Sequence, residues 1–242
     1  MAWDGKIVLI VDGSATLRYY FGILLKRLSF TVMIADCAEA ALGLMQDIVP
    51  SLILTDVSLP AMSGIDFLKI LHGSERTKEI PILALADVMD PATRASCLDL
   101  GCVDIISKQV EPDHLYRVVQ IALEPMPREF IRLHTPLKVV LGDGTAQGGA
   151  ERTEYATTIS EGGLYLRTLY PKPRNTSAPV RILIKNRAVR ATATVMYSNS
   201  LEGGYFREPG MGMKFTDITR EDRGIVRRFV KEQLTADIAI RP

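Results

Sequence analysis

The first half of the chain alternates short apolar runs with longer amphipathic segments. Ile7–Val11 is wholly apolar, which is typical of a parallel strand buried on both faces. The segment after Ser14 repeats apolar residues at helical spacing up to Leu28. Five strands alternating with five helices predict a doubly wound α/β domain with five parallel strands. The remaining predicted strands are Thr31–Ala35, Leu52–Thr55, Pro81–Leu85 and Val103–Ile106, and the remaining predicted helices are Ala38–Ile48, Gly64–Leu71, Pro91–Leu100 and Pro112–Leu123.

The second half has a different pattern, in which short runs of alternating or β-branched residues are separated by glycine and proline. Many short strands with such turns, followed by one amphipathic helix, predict a mainly β domain: a six-stranded β-barrel with a C-terminal helix. The predicted strands are Thr135–Leu141, Thr153–Ile159, Leu164–Arg167, Val180–Lys185, Val189–Tyr197 and Gly210–Phe215, and the predicted helix is Thr219–Leu234.

Two prolines, Pro125 and Pro127, separate the two patterns. The chain has 242 residues, which is enough for two domains of roughly 100–130 residues each. We therefore predict a first domain over residues 1–123, a linker over 124–134 and a second domain over 135–242.

The two predicted domains differ in charge. Residues 1–123 carry 10 Lys and Arg against 15 Asp and Glu, and residues 124–242 carry 19 against 13, so the net charges are −5 and +6. This asymmetry indicates two modules with different partners. The net positive charge of the second domain suits the binding of nucleic acid or of a small anionic ligand. Because the basic residues are dispersed and no helix-turn-helix pattern is visible, nucleic acid is not favoured.

Cysteine usage and hydropathy indicate a cytoplasmic protein without a membrane span. Cys37, Cys97 and Cys102 form neither a CxxC pair nor an even disulfide framework, which fits a reducing compartment. No apolar run reaches the roughly 18 residues that a spanning helix needs. The sequence opens almost directly into a strand, without the pattern of a signal peptide.

The predicted sheet brings candidate chemistry to one edge. In doubly wound sheets, ligands bind at the carboxyl ends of the strands. That rule places Asp12, Asp56, Ala86 and Lys108 around one crevice.

The segments VLIVDGSATLR, LILTDVSLPAMSGIDFL, PILALADV and GCVDIISK resemble a response-regulator receiver domain over residues 5–123. The resemblance implies a flavodoxin-like fold, with Asp56 as phosphoacceptor, Lys108 as the lysine that pairs with the developing charge, and Mg²⁺ held at Asp12 and Asp56. A carboxylate can attack a phosphohistidine while Mg²⁺ neutralises the phosphoryl oxygens. A sensor histidine kinase is therefore the implied partner of this domain.

Two positions of this pocket depart from the family pattern. Gly13 stands where the family has a second acidic residue, and Ala86 stands where it has a Ser or Thr hydroxyl. Mg²⁺ is usually held through only one or two carboxylates, so the loss of one weakens the site. We therefore predict a degenerate receiver that is phosphorylated poorly or not at all. The alternative is a working receiver whose phosphorylation chemistry is weakened.

Two short motifs in the second half resemble the signature of the PilZ domain, over residues 126–235. Arg128 and Arg132 form an RxxxR pair, and Ser160 and Gly163 fit an [Asp/Asn]xSxxG pattern in which Thr158 takes the first position. The resemblance implies that these five residues bind cyclic di-GMP. A guanidinium group can bind phosphate oxygens or the acceptor edge of guanine. A hydroxyl can reach a base edge, and glycine permits close backbone approach.

The combined patterns predict a two-domain signalling protein: a cyclic di-GMP receptor that acts on an unknown downstream protein by binding. We expect no enzyme, since no nucleophile–base pair is apparent outside the receiver pocket. Thr158 lacks the carboxylate or amide that grips a base bidentately, so the alternative is a phosphorelay adaptor that binds no nucleotide. Gly162 and Gly163 could also serve only as a strand turn. The last receiver helix offers a surface for a homodimer.

Overall fold

The computed structural model describes residues 5–88, 90–124, 129–200 and 208–236. The chain forms two compact units, and the second of them is Glu129–Leu234. No helix within the described ranges is long and apolar enough to cross a membrane.

The first unit is a five-stranded parallel sheet with the strand order β2-β1-β3-β4-β5. This order confirms the predicted doubly wound, flavodoxin-like α/β fold. The strands are β1 (Ile7–Val11), β2 (Thr31–Ala35), β3 (Leu52–Asp56), β4 (Ile82–Ala86) and β5 (Asp104–Ser107). The helices are α1 (Ala15–Arg27), α2 (Ala38–Leu44), α3 (Gly64–Gly73), α4 (Pro91–Asp99) and α5 (Pro112–Leu123).

The helices of this unit begin where the sequence supplies caps. The Ser14 hydroxyl accepts a hydrogen bond from the Leu17 amide, and the Asp90 carboxylate accepts from two amides of the first turn of α4. Such side chains satisfy amide groups that have no partner inside the helix. The central strands β3 and β4 are buried along their whole length, because helices cover both faces of the sheet. Each strand therefore delivers its carboxyl end to the same edge.

Helix α2 ends earlier than the predicted limit of Ile48. It stops at Leu44, and Met45 is its C-cap. The Gln46 amide donates to the Gly43 carbonyl oxygen at 3.2 Å, which closes the helix with a tighter turn.

The second unit is a closed antiparallel barrel with the strand order β10-β11-β8-β7-β6-β9. The predicted six-stranded barrel with a C-terminal helix is thus confirmed. Its elements are β6 (Leu133–Leu141), β7 (Arg152–Ser160), β8 (Gly163–Arg167), β9 (Ser177–Ile184), β10 (Arg187–Asn199), β11 (Gly210–Ile218) and α6 (Arg220–Thr235).

Helix α6 is fixed to this unit by a cap and an apolar stripe. The Thr219 hydroxyl accepts from the Asp222 amide at 3.0 Å and donates to its carboxylate at 3.1 Å. The buried residues of the helix repeat at intervals of three and four, which places them on one face. They are Val226, Phe229, Val230 and Leu234.

The strand register of the barrel shifts at four described places, and two of these shifts lie beside the residues discussed below. In β7 the register shifts between Ala156 and Thr158, and in β10 it shifts between Val195 and Tyr197. A bulge bends a strand and changes the direction in which the following side chains point.

Candidate functional site

Lys108 is the centre of the polar pocket in the first unit. Its Nζ lies 2.8 Å from Asp56 Oδ2, 3.1 Å from Asp87 Oδ2 and 3.9 Å from Asp12 Oδ2. These residues follow β1, β3, β4 and β5 or end them, so the shared carboxyl edge of the sheet brings them together. Asp12 and Asp56 are almost completely buried and Lys108 is 8% exposed, whereas the Asp87 side chain reaches solvent.

The Asp56 carboxylate is held on both oxygens. Oδ2 accepts from Lys108, and Oδ1 accepts from the Ser58 amide at 2.9 Å. Close packing of the following loop requires glycine at position 64, because a Cβ there would overlap the backbone carbonyl oxygen of Asp56. Strand, loop and lysine together fix the orientation of this carboxylate.

Asp12 carries a buried oxygen with unused hydrogen-bonding capacity. Its Oδ1 accepts from the Ser14 amide at 2.7 Å, but its Oδ2 has no hydrogen-bond partner among the described residues. Burial raises the pKa of Asp12, and the Ser14 amide and the Lys108 charge oppose that rise. A cation would satisfy the unused lone pairs of Oδ2.

Asp12 and Asp56 fit a magnesium ion of the kind held by two carboxylates and completed by water and phosphate oxygens. The described part of the chain contains no group of three or more His, Cys, Asp or Glu residues arranged to hold a metal ion. Gly13 adds no side-chain oxygen ligand, although a Cβ there would make only ordinary contact with Pro60 at 3.4 Å. Steric crowding therefore does not explain why position 13 is a glycine.

Asp87 is the residue of this pocket that the sequence reasoning missed. Ala86 is buried and has no hydroxyl, and the next side chain instead reaches Lys108. The rule that ligands gather at strand ends selected Ala86, and applying it one residue further would have found the carboxylate. Hydrogen bonds from the lysine to Asp56 and Asp87 raise the pKa of Lys108, against the effect of its burial.

In the second unit, the structure places Thr158, Ser160 and Gly163 at the adjoining ends of β7 and β8. Thr158 Oγ1 and His134 Nδ1 lie 3.2 Å apart and share a hydrogen bond between β7 and β6. The Ser160 hydroxyl donates to the Gly163 carbonyl oxygen at 3.2 Å, across the turn that joins the two strands. His134 was not singled out in the sequence, because its partner depends on the strand register.

Steric contacts within the barrel explain why residues 162 and 163, at this turn, are both glycine. A Cβ at Gly163 would overlap the carbonyl oxygen of Met213 in β11. A Cβ at Gly162 would lie 2.6 Å from the ring of Phe130. These contacts need glycine whether or not a ligand binds, so the predicted turn role and the predicted ligand role are compatible.

Of the two motif arginines, Arg128 lies outside the described residues. Arg132 is exposed and directly precedes β6, whose first residue Leu133 pairs with Ile159. Because Phe130 packs on Gly162, the segment from Glu129 to Arg132 lies beside the motif turn. Arg132 is thereby brought to the same end of the barrel as Ser160.

Helix α6 also contacts this turn through a charged pair. Arg227 lies 2.8 Å from Glu161 Oε2, and Arg223 donates to the Glu161 backbone carbonyl at 3.5 Å. The partners are 62 and 66 residues apart in the sequence, so no local pattern predicted the pairing. It links the motif turn to the closing helix.

The fold and its two polar sites define the class of the protein: a two-domain signalling protein. The model of the response regulator receiver domain matches residues 8–120, and the model of the PilZ domain matches residues 127–232. The chain belongs to the response regulator family through its receiver domain, which is followed by a PilZ domain, a module of the cyclic di-GMP-binding class. Both domains are of the non-catalytic signalling type.

Known proteins resemble the chain over about half its length. Two-component response regulator ORR3 of Oryza sativa subsp. indica is 32% identical over 112 residues, which are 46% of this chain and 86% of that protein. The regulator PhoB of Pseudomonas aeruginosa is 32% identical over 111 residues, 46% of this chain. ORR7 of Oryza sativa subsp. japonica is 30% identical over 118 residues, 48% of this chain. The chain spans about half the length of PhoB and ORR7, at 48% and 56% respectively.

Among solved structures, the chemotaxis response regulator CheY4 of Vibrio cholerae is similar to the chain. The identity is 27% and the TM-score 0.47, over 49% of this chain and 99% of that protein.

Proposed function

We propose that this protein is a receptor for cyclic di-GMP, that the PilZ domain binds the nucleotide through Arg128, Arg132, Thr158, Ser160 and Gly163, and that binding is transmitted to a partner protein. The observation that carries the proposal is the position of exposed Arg132 beside the Ser160–Gly163 turn. A permanent cation next to two hydroxyls and a bare backbone suits a ligand with both phosphate and purine groups.

Each group has a distinct task in this proposal. The guanidinium of Arg132 offers five donors in a planar fork, which matches phosphate oxygens or the O6 and N7 edge of guanine. The hydroxyls of Thr158 and Ser160 would exchange their present hydrogen bonds for bonds to the ligand. Gly163 is itself buried, and its missing side chain lets β8 pack against β11, which shapes the turn that the ligand would approach.

Calorimetric titration of the full chain with cyclic di-GMP tests the proposal. Hydrogen bonds to charged groups contribute about 1.5–3 kcal/mol, so Arg132→Ala should weaken binding about 10- to 150-fold, and Arg128→Ala should act similarly. The matched control is Arg190→Ala, since Arg190 is an exposed arginine of the same barrel that pairs in register with Arg181, away from the motif. Absence of heat with the folded wild type, or equal losses in all three variants, would contradict the proposal.

For the receiver, we propose atypical behaviour: poor phosphorylation on Asp56 and no ordinary switching. Support comes from Lys108, which already contacts two carboxylates, and from Ala86, which has no hydroxyl for a phosphoryl group. An added phosphoryl group on Asp56 would have to compete with Asp87 for the lysine. When bound at Asp12 and Asp56, magnesium would supply charge neutralisation for the phosphoryl oxygens.

Incubation with acetyl phosphate and Mg²⁺, followed by intact mass, tests this second proposal. We expect little adduct on the wild type and more on the variant Gly13→Asp/Ala86→Thr, which restores the missing oxygen groups. Asp56→Asn is the control for the site of modification. Rapid stoichiometric phosphorylation of the wild type that Asp56→Asn abolishes would show a working receiver.

The adaptor alternative is favoured by one observation. Thr158 and Ser160 both have hydrogen-bond partners within the barrel, so the motif is satisfied without ligand. A protein that docks partners through this face would give no heat with cyclic di-GMP while remaining folded. The same titration therefore separates the two functions.

A further inference from the structure

A row of five neighbouring positions runs across the outer face of the barrel, starting at the motif. The register pairs His134 with Thr158, Thr158 with Tyr165, Tyr165 with Gly212, and Gly212 with Tyr197. Leu164 and Leu166 flank Tyr165, Met211 and Met213 flank Gly212, and all four are buried, so alternation along each strand turns Tyr165 and Gly212 outward. Thr158, at the start of the row, is only 9% exposed.

Two tyrosines of this row lie on glycines. A Cβ at Gly212 would overlap the Tyr197 ring, and a Cβ at Gly210 would lie 3.0 Å from the Tyr165 ring. The two ring centroids are 6.2 Å apart, with 30° between the ring planes. We call this surface, formed by Tyr165 and Tyr197 over Gly210 and Gly212, the tyrosine platform.

The surrounding structure holds the platform in place. The Tyr165 hydroxyl donates to the backbone carbonyl of Glu208 and accepts from Asn199 Nδ2, the latter at 3.1 Å. The bulge between Val195 and Tyr197 turns the second ring onto the glycine. Tyr197 nevertheless remains 47% exposed, so much of this side chain is open to solvent.

We propose that the tyrosine platform stacks one guanine base of cyclic di-GMP, and this inference rests on the proposed receptor function. A purine has a flat π face, and stacking on tyrosine needs no particular hydrogen-bond edge. Tyr165 is the direct cross-strand neighbour of Thr158, and Gly212 puts no side chain between the two rings. A ligand with two bases can therefore reach the rings while its other base contacts the motif.

The strand spacing sets the length of this site. Three strand spacings of about 4.8 Å separate Thr158 from Tyr197, or about 14 Å along the row. One base alone does not cover that distance, whereas a ligand with two bases joined by phosphates has a base for each end. The platform thus favours dinucleotides over mononucleotides.

The test is calorimetric titration of full-length variants with cyclic di-GMP. The variant Tyr197→Ala loses one base–aromatic stack and should therefore bind cyclic di-GMP roughly 5- to 150-fold more weakly than the wild type. The variant Tyr197→Phe keeps the ring and should bind with wild-type affinity. Tyr155→Ala is the matched control, because Tyr155 is an equally exposed tyrosine of the same barrel, 48% against 47%, outside the row. If Tyr197→Ala binds cyclic di-GMP with wild-type affinity, the proposed stacking on the tyrosine platform is wrong, while the proposed receptor function is unaffected. A wild type that binds no cyclic di-GMP would overturn both.

A second readout covers the case in which Tyr197→Ala fails to fold. The chain has a single tryptophan, Trp3. In the variant Trp3→Phe/Tyr197→Trp, a stacked guanine should quench the indole fluorescence, and GMP should quench it only at far higher concentration. Binding detected by calorimetry without any change in this fluorescence would contradict the inference.

Discussion

The receiver pocket and the PilZ motif are both polar sites, but they are held together in different ways. In the receiver, a buried lysine connects carboxylates by charge-assisted hydrogen bonds at 2.8 Å and 3.1 Å. In the barrel, Thr158 makes one hydrogen bond to a His134 ring nitrogen and Ser160 makes one to a backbone carbonyl, beside an exposed arginine. A neutral hydrogen bond contributes about 0.5–1.5 kcal/mol and one to a charged group about twice that. The barrel site would therefore exchange its hydrogen-bond partners for a ligand at a lower cost in free energy than the receiver pocket would.

The largest effect should come from removing the central charge of the receiver. Lys108→Ala leaves Asp12 and Asp56 buried near each other without a counter-charge, and breaking such a buried pair typically costs about 3–5 kcal/mol. Chemical denaturation, monitored by the far-UV circular dichroism signal of the helices, measures this loss in the free energy of unfolding. The control Lys69→Ala removes an exposed lysine paired with Asp66 at 2.8 Å and should leave the transition unchanged. Equal stability of both variants would show that the pocket is not held together by Lys108.

A smaller loss is expected from the barrel turn. Gly163→Ala forces a methyl group against the Met213 carbonyl, and overpacking of this kind costs about 1–3 kcal/mol. Gly224→Ala is the opposite control, since a Cβ at Gly224 of α6 meets nothing within 4 Å and alanine favours the helix by about 0.5–1 kcal/mol. Thermal unfolding of the two variants should shift in opposite directions. A shift in the same direction would remove the steric explanation of Gly163.

The smallest expected change concerns Asp12. Because burial raises its pKa in the folded state, the folded protein holds this proton more tightly than the unfolded chain, whose value is near 3.8. The contribution of Asp12 to stability is therefore greatest below pH 3.8 and is lost as the pH rises through the raised pKa. In buffer with EDTA, Asp12→Asn should unfold at higher denaturant concentration than the wild type at pH 7, and the difference should shrink as the pH approaches 4. A difference that grows on acidification would contradict this.

The fold could be predicted because each strand and helix carries its own local signal. Apolar runs such as Ile7–Val11 predicted the parallel strands, and the change to short strands separated by glycine turns predicted the barrel. The pocket around Asp12, Asp56 and Lys108 followed from the rule for strand ends. Asp87 was not predicted because it lies one residue beyond Ala86, the last residue of β4.

The barrel site was less predictable because it depends on register. Thr158 meets His134 and Tyr165, and Tyr197 lies over Gly212, only through pairings that neighbouring register shifts determine. A bulge adds a residue to one strand without any obvious mark in the sequence. The motif pattern identified Thr158, Ser160 and Gly163, but the outward row that extends from them required the structure.

The most direct test of the central claim, that the barrel rather than the receiver pocket binds the nucleotide, is an amide chemical-shift map of the ¹⁵N-labelled full chain at saturating cyclic di-GMP. We predict perturbed amides at Thr158–Gly163, Tyr197 and Gly212, and unchanged amides at Asp12, Asp56 and Lys108. Perturbations confined to the receiver pocket, or none at all, would contradict the account.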